Sequence, residues 1–261
     1  MTSSKTLVVF HRCGGKALGY PPNALVTARW AHDFGAKAIE YDIVFCSFDD
    51  GGKVVVIEPK LLKQAGLDID NLDWKDVEKI NTGNDKFGTS SPATLEAMLQ
   101  KIDTNTVAHQ IHIKGKNPKT LGVLLPALRN VKNYVLTTFD ISVIRDIKRR
   151  DKNVPVGWIV KPKQEKGSEG SEDLTAAVTS ARCLSPYLAE ELDEITKEAR
   201  KHDVQIIILC GPQVQEKRIV EEVSSAGFEV GAWGVGTNLD LARKLIEFQI
   251  DRFTLDNPEQ L

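Results

Sequence analysis

Short apolar runs alternate along this chain with longer stretches whose apolar residues recur every three to four positions. LVVF (7–10), AIEYDIVF (38–45), TVAHQIHI (106–113), YVLTTF (134–139), PVGWIV (155–160), VQIIIL (204–209), FEVGAW (228–233) and RFTL (252–255) read as strands. Helical spacing marks NALVTARWAHDFGA (23–36), at Leu25, Ala28, Trp30, Ala31 and Phe34, and Gly35 suits the cap. It also marks KTLGVLLPALRNV (119–131, interrupted by Pro126), ISVIRDIKRR (141–150), LAEELDEITKEARKH (188–202), EKRIVEEVSSAG (216–227) and LDLARKLIEFQ (239–249).

A strand followed by a helix, repeated eight times, implies parallel strands joined by crossover helices. Eight such units in 261 residues predict a single-domain TIM (β/α)8 barrel over 1–261. A doubly wound open sheet is the alternative that periodicity leaves open. Two regions break the rhythm. Residues 54–92 follow the second strand and hold VVVI (54–57), after the DDGG turn, and a short helix around WKDVEKI. An insertion there lies on the C-terminal face of a barrel. Residues 161–173, KPKQEKGSEGSED, read as a mobile surface loop. Arg182-Cys183-Leu184 would make one strand too many and is taken as a loop or helix entry.

Composition changes this picture little. The chain is 41% hydrophobic and 27% charged, with a formal net charge of −2. There is no clustered basic face of the kind nucleic acid requires, so nucleic acid is not an expected partner. Cysteines 13, 46, 183 and 210 lack metal-type spacing and read as reduced thiols of a cytoplasmic protein. No apolar stretch approaches a membrane span, so stable membrane insertion is not expected. The oligomeric state is left open.

The chemistry concentrates at strand ends. Glu40 and Asp42 interrupt an otherwise apolar strand and, two residues apart, share one face. Two carboxylates held that close need open solvent or a positive partner, and oxygen ligands at this spacing suit a hard cation such as Mg²⁺ or Ca²⁺. His11 and Arg12 directly follow the first strand, ahead of Gly14-Gly15. An Arg there can grip a phosphate, and a His can carry a proton near neutral pH. On the third strand Gln110, His112 and Lys114 share a face too polar for plain barrel filling, whereas His109 has the opposite parity and reads as structural. Phe10 and Trp158 read as packing, and Cys13 has no assigned role.

Taken in order, His11-Arg12, Glu40-x-Asp42, VVVI after its Asp-Gly turn, TLEAML (94–99), IHIK (111–114), VLTTFD (135–140), AGFEVGAWGV (226–235) and TLDNP (254–258) resemble the glycerophosphodiester phosphodiesterases over nearly the whole chain. The resemblance implies a TIM barrel with a small insertion after its second strand. It implies hydrolysis of small-molecule glycerophosphodiesters to glycerol 3-phosphate and an alcohol. One divalent cation would be held by the Glu-x-Asp pair and a third-strand Glu, with two histidines as acid and base. Lys114 would neutralise phosphate charge, and Trp233 would wall the glycerol pocket.

Three positions depart from that pattern. Pro21-Pro22-Asn23-Ala24 stands where the family has Pro-Glu-Asn-Thr. Glu58 stands where the second catalytic His is expected, and His112 where the third metal-binding Glu is expected. An acid and an imidazole have traded places, so the total of two histidines and three carboxylates is kept. In one version Glu40, Asp42 and Glu58 hold the cation and His112 is the acid. In the other His112 is a ligand and Glu58 carries the proton. The first is preferred, because an ordinary Glu titrates near ~4.3, too low to protonate a leaving group at neutral pH. An imidazole ligand would move metal preference from Mg²⁺ or Ca²⁺ towards Mn²⁺ or Zn²⁺. The rival reading is a catalytically impaired barrel that binds phosphodiesters.

Overall fold

The computed structural model describes residues 6–49, 51–161 and 185–261. The eight expected strands are present as β1 (Leu7–Phe10), β2 (Ala38–Ser47), β6 (Ala108–Ile113), β7 (Tyr134–Thr138), β8 (Val156–Ile159), β9 (Ile206–Cys210), β10 (Glu229–Trp233) and β11 (Arg252–Leu255). Three further short strands, β3 (Lys53–Val56), β4 (Leu72–Asp73) and β5 (Ala93–Thr94), belong to the insertion. The sheet runs β1-β11-β10-β9-β8-β7-β6-β2, and β2 pairs back on β1. Pairings between barrel strands are parallel, as in β1–β2, β2–β6 and β9–β10. This is a TIM barrel with an insertion after its second strand, and the open-sheet alternative is excluded by the β1–β2 closure. The weak strand Arg182–Leu184 and residues 162–173 of the polar loop lie outside the described residues.

The chain groups into two compact units. One comprises Val9–Thr137 and Asp256–Glu259. Its centre is β2, buried at every residue from Ala38 to Cys46. Register explains which side chains meet. In the β2–β6 ladder Glu40 lies level with Gln110 and Asp42 with His112. Phe10 lies level with Ile39, so His11, the next residue, comes alongside Glu40. Ile111 and Ile113 take the opposite face of β6 and are buried, each stabilising the fold by roughly 1.5–3 kcal/mol. Helix α1 (Leu25–Phe34) ends at Gly35, whose φ of 92° admits the left-handed cap.

The insertion in this unit carries helices α2 (Pro59–Gln64) and α3 (Trp74–Val77), the latter shorter than WKDVEKI suggests. Strand β3 turns back antiparallel on β2, with Ile43 opposite Val56. Val44, Cys46, Val55, Ile57, Leu62, Leu72 and Val77 form its own small core. Helix α4 (Leu95–Lys101) returns the chain to β6, and α5 (Thr120–Ala127) follows β6, with Pro126 in its last turn.

The other unit comprises Met1–Val8, Thr138–Leu255 and Gln260–Leu261. Helices α6 (Ile141–Arg150), α7 (Ala189–Lys201), α8 (Lys217–Ser225) and α9 (Leu239–Glu247) alternate with β8 to β11. Each buries one apolar stripe: Ile144 and Ile147, Leu192 and Ala199, Ile219 and Val223, Ala242 and Leu245. Among the described residues no helix is long and apolar enough to cross a membrane.

Candidate active site

Glu40 and Asp42 are almost fully buried, 2% and 1% exposed. Solvent therefore does not relieve their mutual repulsion, and neighbouring groups must do so. Asp42 is the better supplied. Lys114 Nζ stands 3.2 Å from its Oδ1, and Arg12 Nε stands 3.2 Å from its Oδ2. Asn23 clamps it from the side, donating from Nδ2 to Oδ2 at 3.2 Å while its own Oδ1 accepts the Asp42 backbone N–H at 3.1 Å. Burial alone would push the Asp42 carboxyl up, but Lys114, Arg12, His112 and His11 together hold it well below the usual carboxylate range. Glu40 accepts the Arg12 backbone N–H at 2.9 Å.

His112 joins this pair. Its Nδ1 is 3.6 Å from Glu40 Oε1 and 3.5 Å from Asp42 Oδ1. Burial, aided by Lys114, lowers its pKa against the opposing pull of the two acids, so the imidazole is held neutral, the form that ligates metals. One ligand atom from each of Glu40, Asp42 and His112 lies within 4.8 Å of the others, close enough to surround one ion. The donor set fits a divalent cation, which would share Asp42 with Arg12 and Lys114.

Glu58 is not part of that three-residue group. Its carboxylate takes Nη1 of Arg12, so one guanidinium spans Asp42 and Glu58. Those acids raise the Arg12 pKa even though burial opposes it. Arg12 also occupies a left-handed backbone conformation, φ 49°, and Cys13 follows at φ 74°. Non-glycine residues adopt this region at a cost, so the turn after β1 is held in place by its contacts. Glu58 further lines a cavity of about 230 Å³ with Tyr20, Pro21, Pro22, Asn81 and Asn84.

His11 lies at the edge of the cluster, its Nε2 4.0 Å from Glu40 Oε2. Its other nitrogen, Nδ1, is 2.5 Å from Asp256 Oδ1. No period or spacing marks Asp256 or Asn23 as site residues, although they lie in TLDNP and Pro-Pro-Asn-Ala. Their roles come from contacts that span 245 and 19 residues. Trp233 belongs to the other unit, where its Nε1 donates to Val160 O at 3.0 Å and its ring meets Phe139 edge-on. His109 is structural, as its parity predicts: Nδ1 meets the Tyr41 hydroxyl at 2.9 Å. Cys13 is fully buried, and Phe10 packs against Trp30 and Phe34.

A parallel barrel with a two-acid pair on its second strand, faced by His, Arg and Lys, is the architecture of a phosphate-ester hydrolase. The sequence pattern of the glycerophosphoryl diester phosphodiesterase family matches residues 11–260, and the chain belongs to that family, whose members are enzymes. A search of curated proteins finds no match. Solved structures share the fold. A phosphodiesterase of Oleispira antarctica, in complex with the product sn-glycerol-3-phosphate, is 16% identical with a TM-score of 0.74, over 98% of this chain and 95% of that one. A glycerophosphodiester phosphodiesterase of Agrobacterium tumefaciens is 19% identical with a TM-score of 0.69, over 97% of each chain. One of Thermotoga maritima is 19% identical with a TM-score of 0.68, over 98% of this chain and 96% of that one.

Proposed function

We propose that this protein hydrolyses glycerophosphodiesters to glycerol 3-phosphate and an alcohol with the help of one divalent cation. The observation that carries this reading is the convergence of Glu40, Asp42 and His112 within 4.8 Å, beside His11, Arg12 and Lys114. Glu40, Asp42 and His112 would hold the cation. This favours the arrangement in which the imidazole is a ligand, so Mn²⁺ or Zn²⁺ joins Mg²⁺ and Ca²⁺ as a candidate. A cation bound there would supply positive charge to the phosphate oxygens.

The protein's own groups do the rest. Arg12 offers paired N–H donors to the phosphate, and Lys114 offers a point charge. His11 accepts the proton of the attacking hydroxyl at Nε2, whether that hydroxyl belongs to water or to the glycerol 2-position. The leaving alcohol occupies the cavity beside Glu58. Glu58 is ion-paired with Arg12. In this arrangement Glu58 would carry the proton to the leaving oxygen. Trp233 is assigned to the wall of the glycerol pocket on the family resemblance.

A second reading is a phosphodiester-binding barrel without turnover. It is favoured by one observation: Asp42 is already neutralised by Arg12 and Lys114. Release of glycerol 3-phosphate from glycerophosphocholine separates the two. Turnover with Mg²⁺, Mn²⁺, Ca²⁺ or Zn²⁺ that stops on chelation is the expected result. Silence with all four, from acidic to alkaline pH, would leave the binding module standing.

A further inference from the structure

We propose that Asp256 is a positioning residue for His11: it selects the Nδ1–H tautomer and turns Nε2 towards the Glu40–Asp42–His112 group. The role rests on the hydrolytic reading above and extends it to a residue at the opposite end of the chain. The first observation is the contact itself, Nδ1 to Oδ1 at 2.5 Å. A carboxylate can only accept, so the proton between them belongs to Nδ1 and the lone pair belongs to Nε2. Burial opposes it, but the hydrogen bond from His11, with help from Lys16, holds the Asp256 carboxyl well below the usual range, so the acceptor is ionised.

The second observation is that Asp256 is itself immobilised. Its Oδ2 takes the Lys16 ammonium at 3.0 Å, and its carbonyl accepts the Lys16 N–H at 3.3 Å. The neighbouring Asn257 accepts the Ala17 N–H at 2.8 Å. Together these bonds fasten the turn after β11 to the loop after β1. Asp256 is 13% exposed, so water competes weakly for the bond to His11.

The third observation is what the ring would otherwise lack. His11 directly follows β1, just before two residues in the left-handed region, and its Nε2 is held only loosely, 4.0 Å from Glu40. Asp256 supplies the short contact that fixes the ring's rotation. A base so aligned presents one lone pair to the attacking hydroxyl, whereas the other tautomer would present a proton and repel it.

The test combines ¹⁵N-histidine NMR on the wild type with kinetics on Asp256→Asn and Asp256→Glu, alongside melting temperatures. The expected result is an Nδ1–H tautomer for His11 in the wild type. In Asp256→Asn, kcat falls about 10²- to 10⁴-fold with KM within threefold, and the tautomer is mixed or reversed. Asp256→Glu restores part of kcat. A wild-type Nε2–H tautomer, or kcat within threefold in Asp256→Asn, overturns the role. If Asp256→Asn fails to fold, the wild-type tautomer and Asp256→Glu decide. A wild type that turns over no glycerophosphodiester overturns the hydrolytic reading itself, and this role with it. Turnover with the wrong tautomer overturns only the role of Asp256.

Discussion

Arg12 and Asp42 form an ion pair, Nε to Oδ2 at 3.2 Å, inside the group of side chains that would hold a cation. The same guanidinium reaches Glu58. Arg12 therefore stands at once beside the proposed metal and phosphate sites and beside Glu58, which occupies the position where the resemblance expects a second His. A cation bound at Asp42 would compete with this guanidinium for one carboxylate.

That competition sets the first prediction. Removing the guanidinium in Arg12→Gln lets a divalent cation have Asp42 with less opposition. Metal affinity should tighten about fivefold to tenfold, a coupling of roughly 1–1.4 kcal/mol. The same substitution should raise KM at least about tenfold, because the paired donors to the phosphate are lost. Calorimetric titration with Mn²⁺ and steady-state kinetics read the two effects. Weaker metal binding in Arg12→Gln would show that the two cations do not compete.

The ligand set can be read without any turnover. A ligand that binds only the folded state raises the melting temperature by mass action. Asp42→Asn, Glu40→Gln and His112→Ala should each abolish the rise produced by millimolar Mn²⁺ or Mg²⁺. Glu58→Gln should keep it, since Glu58 lies outside the three-residue group. Loss of the rise in Glu58→Gln would restore the three-carboxylate arrangement.

Acid should destabilise the fold in two stages. Burial pushes His109 down to about 4, from an ordinary value of 6.5, and also lowers His112. The unfolded chain then binds more protons than the folded one, so stability is full above pH ~6.5 and falls towards pH ~4. His109 alone accounts for about 3 kcal/mol of that fall. Asp42 and Asp256, held below the carboxylate range, keep contributing until the pH drops under ~3.9, and their share is lost only below that. Urea titrations at stepped pH check both stages. His109→Gln should flatten the first, and an unchanged slope would assign that fall to other groups.

Trp233 offers a test of the glycerol pocket. Its Nε1 bond to Val160 O and its contact with Phe139 already give it a structural partner set. Trp233→Phe keeps an aromatic face and loses one hydrogen bond, at a cost of about 1 kcal/mol. If the ring also walls the glycerol pocket, Trp233→Ala should raise KM about tenfold more than Trp233→Phe does. Equal KM values in the two variants would leave Trp233 a packing residue.

Gly83 ties the insertion's hairpin together. A Cβ added there would overlap the Gly88 carbonyl oxygen, a backbone atom that cannot swing aside. Gly83→Ala should open the Asn84–Gly88 bridge and loosen the Tyr20–Phe87 stack, 4.4 Å between centroids, on the cavity's rim. The expected loss is about 2 kcal/mol of stability, seen in the melting temperature, with a rise in KM.

The sequence by itself determined the order and number of the barrel strands, because apolar period is a local property that each segment carries alone. RFTL and ISVIRDIKRR matched their elements to the residue, and the eight repeats implied the barrel. Alternation along β2 and β6 likewise put Glu40 with Asp42, and Gln110, His112 and Lys114, on single faces. Only the tertiary structure decided who meets whom. Sheet register set Asp42 level with His112 and left Glu58 to Arg12. Ring closure brought Asp256 to His11 across 245 positions. Charges on separate strands pair through space, and no period within a segment encodes the register or the closure that brings them together.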